Sequence, residues 1–502
     1  MMYIMIVFQE ESMKKQILLL SLVCCLILTA CGGTVPVEET ADTAAQTETT
    51  VTEETEAKYS LAVPTADYGG EEFRTLCYTQ GDPGTMKQLL DFAWTDDQKG
   101  EVLNDAVYAR NLKVEEDFNV SIAWEENDDV KKVAKNTVVA GETVYDIVQP
   151  YVNDAMVMGQ DGEVWDMAPL MDLDAPWWDY ALQRDLMLGG KLYCLTGDVT
   201  LGDEELNYGI FYNKALVEQY GLADMPGLDD PYTMVKEGKW TIDAMYTFAQ
   251  GATADINGDG TMDINDAYGI GSDYGLACVV FYGTGGQLAR ISDDGSPEIV
   301  LNNERNEAVI ERLATVYCDT NASIMVTNMG SDGWTKLNNM LMENRLLFRL
   351  GSIYDLKDFR EMIDDFGILP NPKYDEAQEA YCHIISTNWC PCIAVPVTIT
   401  GDALERTTVL LEALSCYSDT VVEAYYDVNL STKLVRDEES ADMFDIIFET
   451  KYYDLGKVFN WGNIEGIIGT VVKAGGGFAS TYAKSESKIM DAMAKTWELY
   501  GG

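Results

Sequence analysis

From residue 71 onward, short stretches of alternating or contiguous apolar residues are separated by longer ones in which apolar residues recur every three or four positions. EEFRTLCYT at 71–79 reads as a strand. EVLNDAVYARNLKVEEDF at 101–118 places Val102, Leu103, Ala106, Val107, Ala109 and Val114 at near-helical spacing, which predicts a helix. NVSIAW at 119–124 reads as a second strand and YDIVQPY at 145–151 as a third. KWTIDAMYTFAQ at 239–250 offers Thr241 as a helix cap ahead of an amphipathic run, and residues 409–418 open a C-terminal series of helices. Alternation of this kind predicts an α/β architecture built on parallel sheet. No repeat of solenoid period is visible.

The N-terminus follows a different pattern. Met13 opens MKKQILLLSLVCCLILTAC, two lysines followed by a mostly apolar run over 17–30 that is too short to span a bilayer and has the form of a signal peptide. Glu10 and Glu11 stand ahead of this basic start, so translation is expected to begin at Met13. Leu28-Thr29-Ala30-Cys31-Gly32 resembles a bacterial lipobox, in which the cysteine becomes the lipidated N-terminus, and this implies tethering at the extracellular face of the cell membrane. Residues 32–57 hold seven acidic residues and eight threonines with no aromatic or basic side chain. A segment so composed cannot bury a core and is expected to be a disordered stalk.

Charge narrows the partners. The chain has a net charge of -50, and setting aside the stalk's seven acids leaves -43 on the remainder, since residues 1–30 carry two lysines against two glutamates. That sign argues against nucleic acid and against docking on anionic lipid. The residues from Lys58 onward suffice for two or three domains, and 47% hydrophobic content supports a real core. Eight cysteines remain beyond Cys31. The closest pair, Cys390 and Cys392, lacks the two-residue spacing of zinc or redox motifs, so these residues read mostly as small buried apolar side chains, with disulfides left open. The single histidine, His383, lies in a strand-like stretch and reads as a satisfied core or loop residue rather than a catalytic base.

One acidic segment has a distinct order. DINGDGTMDIND at 255–266 places oxygen donors at steps 1, 3, 5, 7, 9 and 12 with glycine at 6, the spacing of a calcium loop. Asp255, Asn257, Asp259, the Thr261 carbonyl, Asp263 and Asp266 are the expected ligands of a structural Ca2+, and Gly260 makes the turn. Asp266 is one methylene shorter than the usual glutamate, which leaves magnesium or weaker calcium binding open. FYGTGGQL at 281–288 lacks the lysine and strand-to-helix context of a nucleotide loop and reads as a turn lining or bracing its domain.

Taken in order, NDAVYARNLKVEEDFNVSI (104–122), YDIVQPY, LDAPWWDYALQRDLMLGGKLYCLTGD (173–198), NYGIFYNKAL (207–216), GKWTIDAM, GSIYDL (351–356) and FGILPNPKYDEAQ (366–378) resemble the extracellular solute-binding proteins of ABC importers, in the maltose-binding-like group. The resemblance covers most of the chain from 71 to about 414. It implies an α/β, two-lobe periplasmic-binding-protein-like fold of type II, with the solute in a cleft that closes about a hinge. Lobe one would take 58–196 and 367–408, lobe two 197–366 and 409–502, with crossovers near 196–200 and 394–400. Matching the family's cleft positions by motif neighbourhood implies Gln80, Gln149, Tyr151, Tyr274, Tyr354 and Trp461 as ligand-binding residues. Trp177, Trp178, Trp334 and Trp461 lie in polar or glycine-containing surroundings, as rings that stack on a sugar would.

The expectation is therefore a monomeric, lipid-anchored, non-enzymatic receptor delivering a carbohydrate, an oligosaccharide for preference, to ABC permease subunits. A cationic or peptide solute is the alternative. A secreted glycosidase needs only a carboxylate pair, but no glycosidase signature is present. A dockerin-type scaffold needs two calcium loops in tandem, and one is found.

Overall fold

The computed structural model describes residues 58–63, 65–79, 91–96, 99–426 and 437–501. The signal peptide, Cys31 and the stalk lie outside them, as does Gln80. The first half is organised by β1 (Glu71–Tyr78), which buries Phe73, Thr75, Leu76 and Cys77. Helix α1 (Val102–Phe118) lays Val107, Val114 and Phe118 on this sheet and stops at Asn119, whose left-handed backbone (φ 48°) turns the chain directly into β2 (Val120–Asn127). β1 pairs in parallel with β2 along its whole length, and with β3 (Ile147–Val148) through Thr75 and Leu76. β3 is shorter than the expected 145–151 because Pro150 has no N–H to donate, and α2 (Val152–Gln160) begins two residues later. Antiparallel bridges Val148 to Ala394 and Leu195 to Ile393 carry this sheet onto returning chain.

The second half is a five-stranded sheet. Its members are β4 (Tyr208–Asn213), β5 (Tyr268–Ser272), β6 (Ser323–Met325), β7 (Leu346–Ser352) and β8 (Phe366–Leu369), in the order β8-β4-β7-β5-β6. β4, β5 and β7 are buried at every position, as strands covered by helices on both faces must be. Among those helices is α3 (Ile242–Gly251), capped as expected by the Thr241 hydroxyl, which accepts from the Ala244 N–H at 3.2 Å. The expectation of parallel sheet holds for the first half and for β5 against β6 and β7, but β4 is antiparallel to both its neighbours. Only the single helical turn Gly202–Glu205, too short for a crossover, leads the chain from the first half into β4.

Two of the expected lobe limits shift. β8 pairs with β4, so residues 367–369 belong with the second sheet rather than the first lobe. The C-terminal helical series opens at α4 (Asp402–Cys416), seven residues before 409, and this helix packs on α1. Just beyond it, Tyr417 donates to Asp117 at 2.9 Å and Arg110 to Ser418 at 3.1 Å, which ties residues 402–418 to the first sheet. The strand pair β9 (His383–Ile384) and β10 (Lys451–Tyr452), with the bridge Asn207 to Ile385, lies where chain passes between the halves. The last helices, α5 (Glu465–Ala474) and α6 (Phe478–Tyr500), pack on the second half. α6 also reaches the first, where Tyr500 meets Tyr193 edge-on at 5.4 Å.

Candidate binding cavity and its surroundings

A cavity of about 540 Å³ opens where the end of β5, the segment 386–389 and the turn leading into α5 come together. Its size lies in the range of small-molecule sites. Its polar wall starts at Asp273, one residue past β5, whose carboxylate accepts from the Gly275 N–H at 2.8 Å and from the Thr327 hydroxyl. Tyr274 follows, half-buried, with the Lys473 ammonium 5.9 Å from its ring centre. The lining also includes Trp389, 40% exposed, an unusual state for so large an apolar ring. Trp389 meets Tyr151 edge to face at 5.7 Å, and Tyr151 in turn stacks on Tyr78 at 4.2 Å, so the ring is braced from the first half.

The turn before α5 is unusual backbone. Asn460, Gly462 and Asn463 all have positive φ, 42°, 61° and 68°. Asparagine tolerates this region, whereas a Cβ at Gly462 would stand 2.9 Å from Ile489. The turn is held at its base by Lys457 and Glu465, ion-paired at 2.6 Å, and the Asn460 side-chain oxygen accepts from the Glu465 N–H at 3.3 Å. Burial works against the Lys457 charge, but Glu465 more than offsets it and holds the ammonium above its ordinary value. Both residues line the cavity, as do Asn460 and Asn463. The formal charges of the lining cancel: Asp273 and Glu465 against Lys457 and Lys473.

Of the residues expected in the cleft, Tyr274 lines this cavity and Tyr151 adjoins it through Trp389. Gln149 is buried, its amide donating to Asp91 at 2.8 Å, and burial pushes that carboxyl up to about 6. Tyr354 sits outside the cavity lining, beneath the Lys357 ammonium at 3.1 Å from its ring centre. The expectation for Trp461 is corrected. Its indole is buried, stacked on Phe459 at 5.2 Å, with its N–H donated to Thr496 at 2.8 Å, so the ring is core and its neighbours Asn460 and Asn463 reach the cavity instead. Trp177 and Trp178 are likewise buried and both donate to Glu412, at 2.7 and 3.3 Å. Trp334 is 40% exposed but lies against Arg349 outside the lining. Sequence reasoning missed Trp389 and the Lys457–Glu465 pair. The cue that picked out Trp334, a tryptophan among polar residues, applies equally to Trp389 in STNWCPC.

The acidic loop folds as a set of local turns. Asp255 accepts from the Gly258 and Gly260 N–H groups at 2.7 and 2.8 Å, Asn257 from Asp259 at 2.9 Å, and Asp259 from Thr261 at 2.8 Å. Asp263 accepts from Asn265 at 2.8 Å, and Asp266, fully buried, from Asp263 and Ile256 at 2.8 and 3.2 Å. Gly260 has the positive φ, 81°, that the turn requires. Among the described residues no three His, Cys, Asp or Glu side chains are grouped to hold a metal ion. The donor types do fit a hard cation, because Asp259 and Asp263 each keep one carboxylate oxygen outside these bonds.

His383 is a satisfied core residue. The Asn371 N–H donates to its Nε2 at 3.0 Å, which makes Nδ1 the protonated nitrogen facing Thr450 at 2.7 Å, and burial lowers its pKa to about 3. The eight described cysteines are all free thiols, six of them buried. The FYGTGGQL turn is braced by the Tyr452 hydroxyl, which donates to the carbonyls of Tyr282 and Gly286 at 3.2 and 2.9 Å.

No protein-family model matches the sequence, and no curated protein matches it. Solved structures do. The maltose-binding periplasmic protein of Listeria monocytogenes in complex with maltose is 13% identical, over 85% of this chain and 98% of that one, with a TM-score of 0.57. An ABC substrate-binding protein of the same organism in complex with cycloalternan is 13% identical over 85% and 99%, TM-score 0.53. The UgpB protein of Mycobacterium tuberculosis in complex with glycerophosphocholine is 14% identical over 85% and 99%, TM-score 0.53. At such identities the likeness is one of fold, and the chain has the mixed α/β, two-lobe fold of the maltose-binding ABC substrate-binding proteins.

Proposed function

We propose that this protein is a solute-binding receptor that captures a neutral carbohydrate, an oligosaccharide for preference, and passes it to the permease of an ABC importer, anchored outside the membrane through a lipid on Cys31. The reading draws on the fold, which the receptors bound to maltose and cycloalternan share. The single observation that carries the sugar is the lining of the cavity: an exposed indole, Trp389, faces side-chain amides and hydroxyls in a wall whose charges cancel. An indole face takes the C–H face of a pyranose, and amides and hydroxyls satisfy its hydroxyl groups in both hydrogen-bonding senses.

Charge balance separates this reading from its competitor. A polyamine would be drawn to a chain of net charge -50, but this wall offers it no excess of negative charge. Calorimetry of the protein from Lys58 onward against maltotriose, cellotriose, xylotriose, spermidine and a tripeptide tests the proposal. Sugar binding that barely changes between low and moderate ionic strength is expected. Spermidine binding that falls with salt, with no sugar bound, would replace the carbohydrate by a cation.

A further inference from the structure

The Lys457–Glu465 pair does more than hold the turn. Lys457 is 5% exposed and Glu465 half-buried, yet both line the cavity. The ammonium has three donors, and its bond to Glu465 Oε1 uses one, leaving two. Glu465 Oε1 also has the Cys278 thiol at 3.7 Å, and the second carboxylate oxygen keeps its acceptor capacity. A strong donor and a strong acceptor, held together by their 2.6 Å ion pair, thus stand side by side in the lining of the cavity. Two adjacent hydroxyl groups on a sugar ring are neighbours in the same way.

We propose that Lys457 and Glu465 are the specificity-determining couple of this site and read two neighbouring hydroxyls of one sugar ring, Lys457 Nζ donating to one oxygen while Glu465 accepts the proton of the next. The proposal rests on the carbohydrate reading. It fixes the class of sugar further: a ring with a free vicinal diol, not deoxygenated or acylated at either position. Hydrogen bonds to ionised groups in a dry site are strong, and a solute lacking one hydroxyl leaves its partner buried and unsatisfied. Selection of this kind is far sharper than apolar fit provides. Lys457 is held in place before any solute arrives, because it is buried and lies in the one-turn helix Leu455–Phe459 capped by Asp454, whose carboxylate accepts from the Lys457 N–H at 3.1 Å.

The test uses the trisaccharide, among maltotriose, cellotriose and xylotriose, that the wild type binds most tightly, together with its mono-deoxy derivatives. In the wild type, two adjacent deoxygenations should each weaken binding at least about tenfold, as expected for a lost bond to a charged group. Lys457→Gln should erase the discrimination at one of those two positions and Glu465→Gln at the other. A loop that has merely loosened would instead weaken the parent sugar and every derivative alike. Binding of the parent sugar by Lys457→Gln within about threefold of wild type, or discrimination that survives both substitutions, would overturn the proposal while leaving the carbohydrate reading intact. If none of the three sugars binds the wild type, the carbohydrate reading fails first and the couple with it.

Discussion

Trp389 and Tyr151 meet edge to face with ring centres 5.7 Å apart, so the ring that overlooks the cavity is supported from the half of the molecule that supplies β1 and β3. Such a contact contributes about 1 kcal/mol beyond the area it covers. Together with Asn388, whose side-chain oxygen accepts from Asn153, Trp389 links the first half to a cavity lined mainly by the second. Trp389→Ala is expected to weaken binding of the identified sugar by about 2 kcal/mol, roughly thirtyfold, with little loss of stability because the ring is already 40% exposed. Titration calorimetry beside a thermal melt reads the two effects separately, and unchanged affinity would remove the ring from the site.

Trp461→Ala should do the reverse. Its indole is buried, stacked on Phe459, and its N–H is donated to Thr496, so truncation leaves a large cavity and an unpaired hydroxyl. A loss of about 3–5 kcal/mol in urea unfolding is expected. Affinity measured well below the melting temperature should fall less than for Trp389→Ala.

Local patterning was the legible part of this chain. The expected strand at 71–79 and helix at 101–118 appear as Glu71–Tyr78 and Val102–Phe118, because alternation and near-helical spacing report directly on which side chains one sheet or helix face can bury. Direction was less legible: nothing local to YGIFYN tells β4 to run against its neighbours, which depends on where the chain enters the sheet. The site divides in the same way. Tyr274 follows a strand end and was found from its surroundings, whereas Trp389 gains its role from Tyr151, remote in sequence. The motif around Trp461 pointed to the right turn but the wrong side chain, since left-handed backbone at Asn460 and Asn463 presents the amides while the ring turns inward.

His383 should impose a measurable acid sensitivity. Its pKa is lowered from 6.5 to about 3 by burial, so between those values the unfolded chain binds a proton that the folded one does not. Its contribution is therefore fully present above pH 6.5 and is lost as pH falls toward 3. His383→Gln has no such titration. The stability of wild type minus that of His383→Gln should fall by about 2 kcal/mol from pH 7 to pH 5. Taking the difference matters because Asp91 and Asp198, each raised to about 6 by burial, act in the opposite sense in both proteins. Urea unfolding at the two pH values checks it, and a constant offset would contradict a neutral core histidine.

Lipidation is tested without reference to the fold. Metabolic labelling with a fatty acid should mark the full chain and miss Cys31→Ala, and equal labelling of both would refute an anchor at that cysteine in LTACG.

The loop at 255–266 makes the last prediction, and its buried member gives it a sign. Four exposed or half-buried acidic or amide side chains crowd one turn, with Asp266 fully buried at its close and the flanking Ala254 and Ala267 bridged to one another. The mutual repulsion of the four aspartates opposes the turn, and a divalent cation taken up by Asp255, Asn257, Asp259, the Thr261 carbonyl, Asp263 and Asp266 would remove it. The loop joins α3 to β5, so its tightening should stabilise the second half through the start of β5, five residues from Asp273. Calcium at millimolar concentration is expected to raise the melting temperature by a few degrees and chelator to reverse it, as for any ligand that binds only the folded state. Asp259→Asn should abolish the shift without lowering sugar affinity, because Asp259 takes no part in lining the cavity. A melting temperature indifferent to calcium in the wild type would mean that the local N–H bonds alone hold the loop.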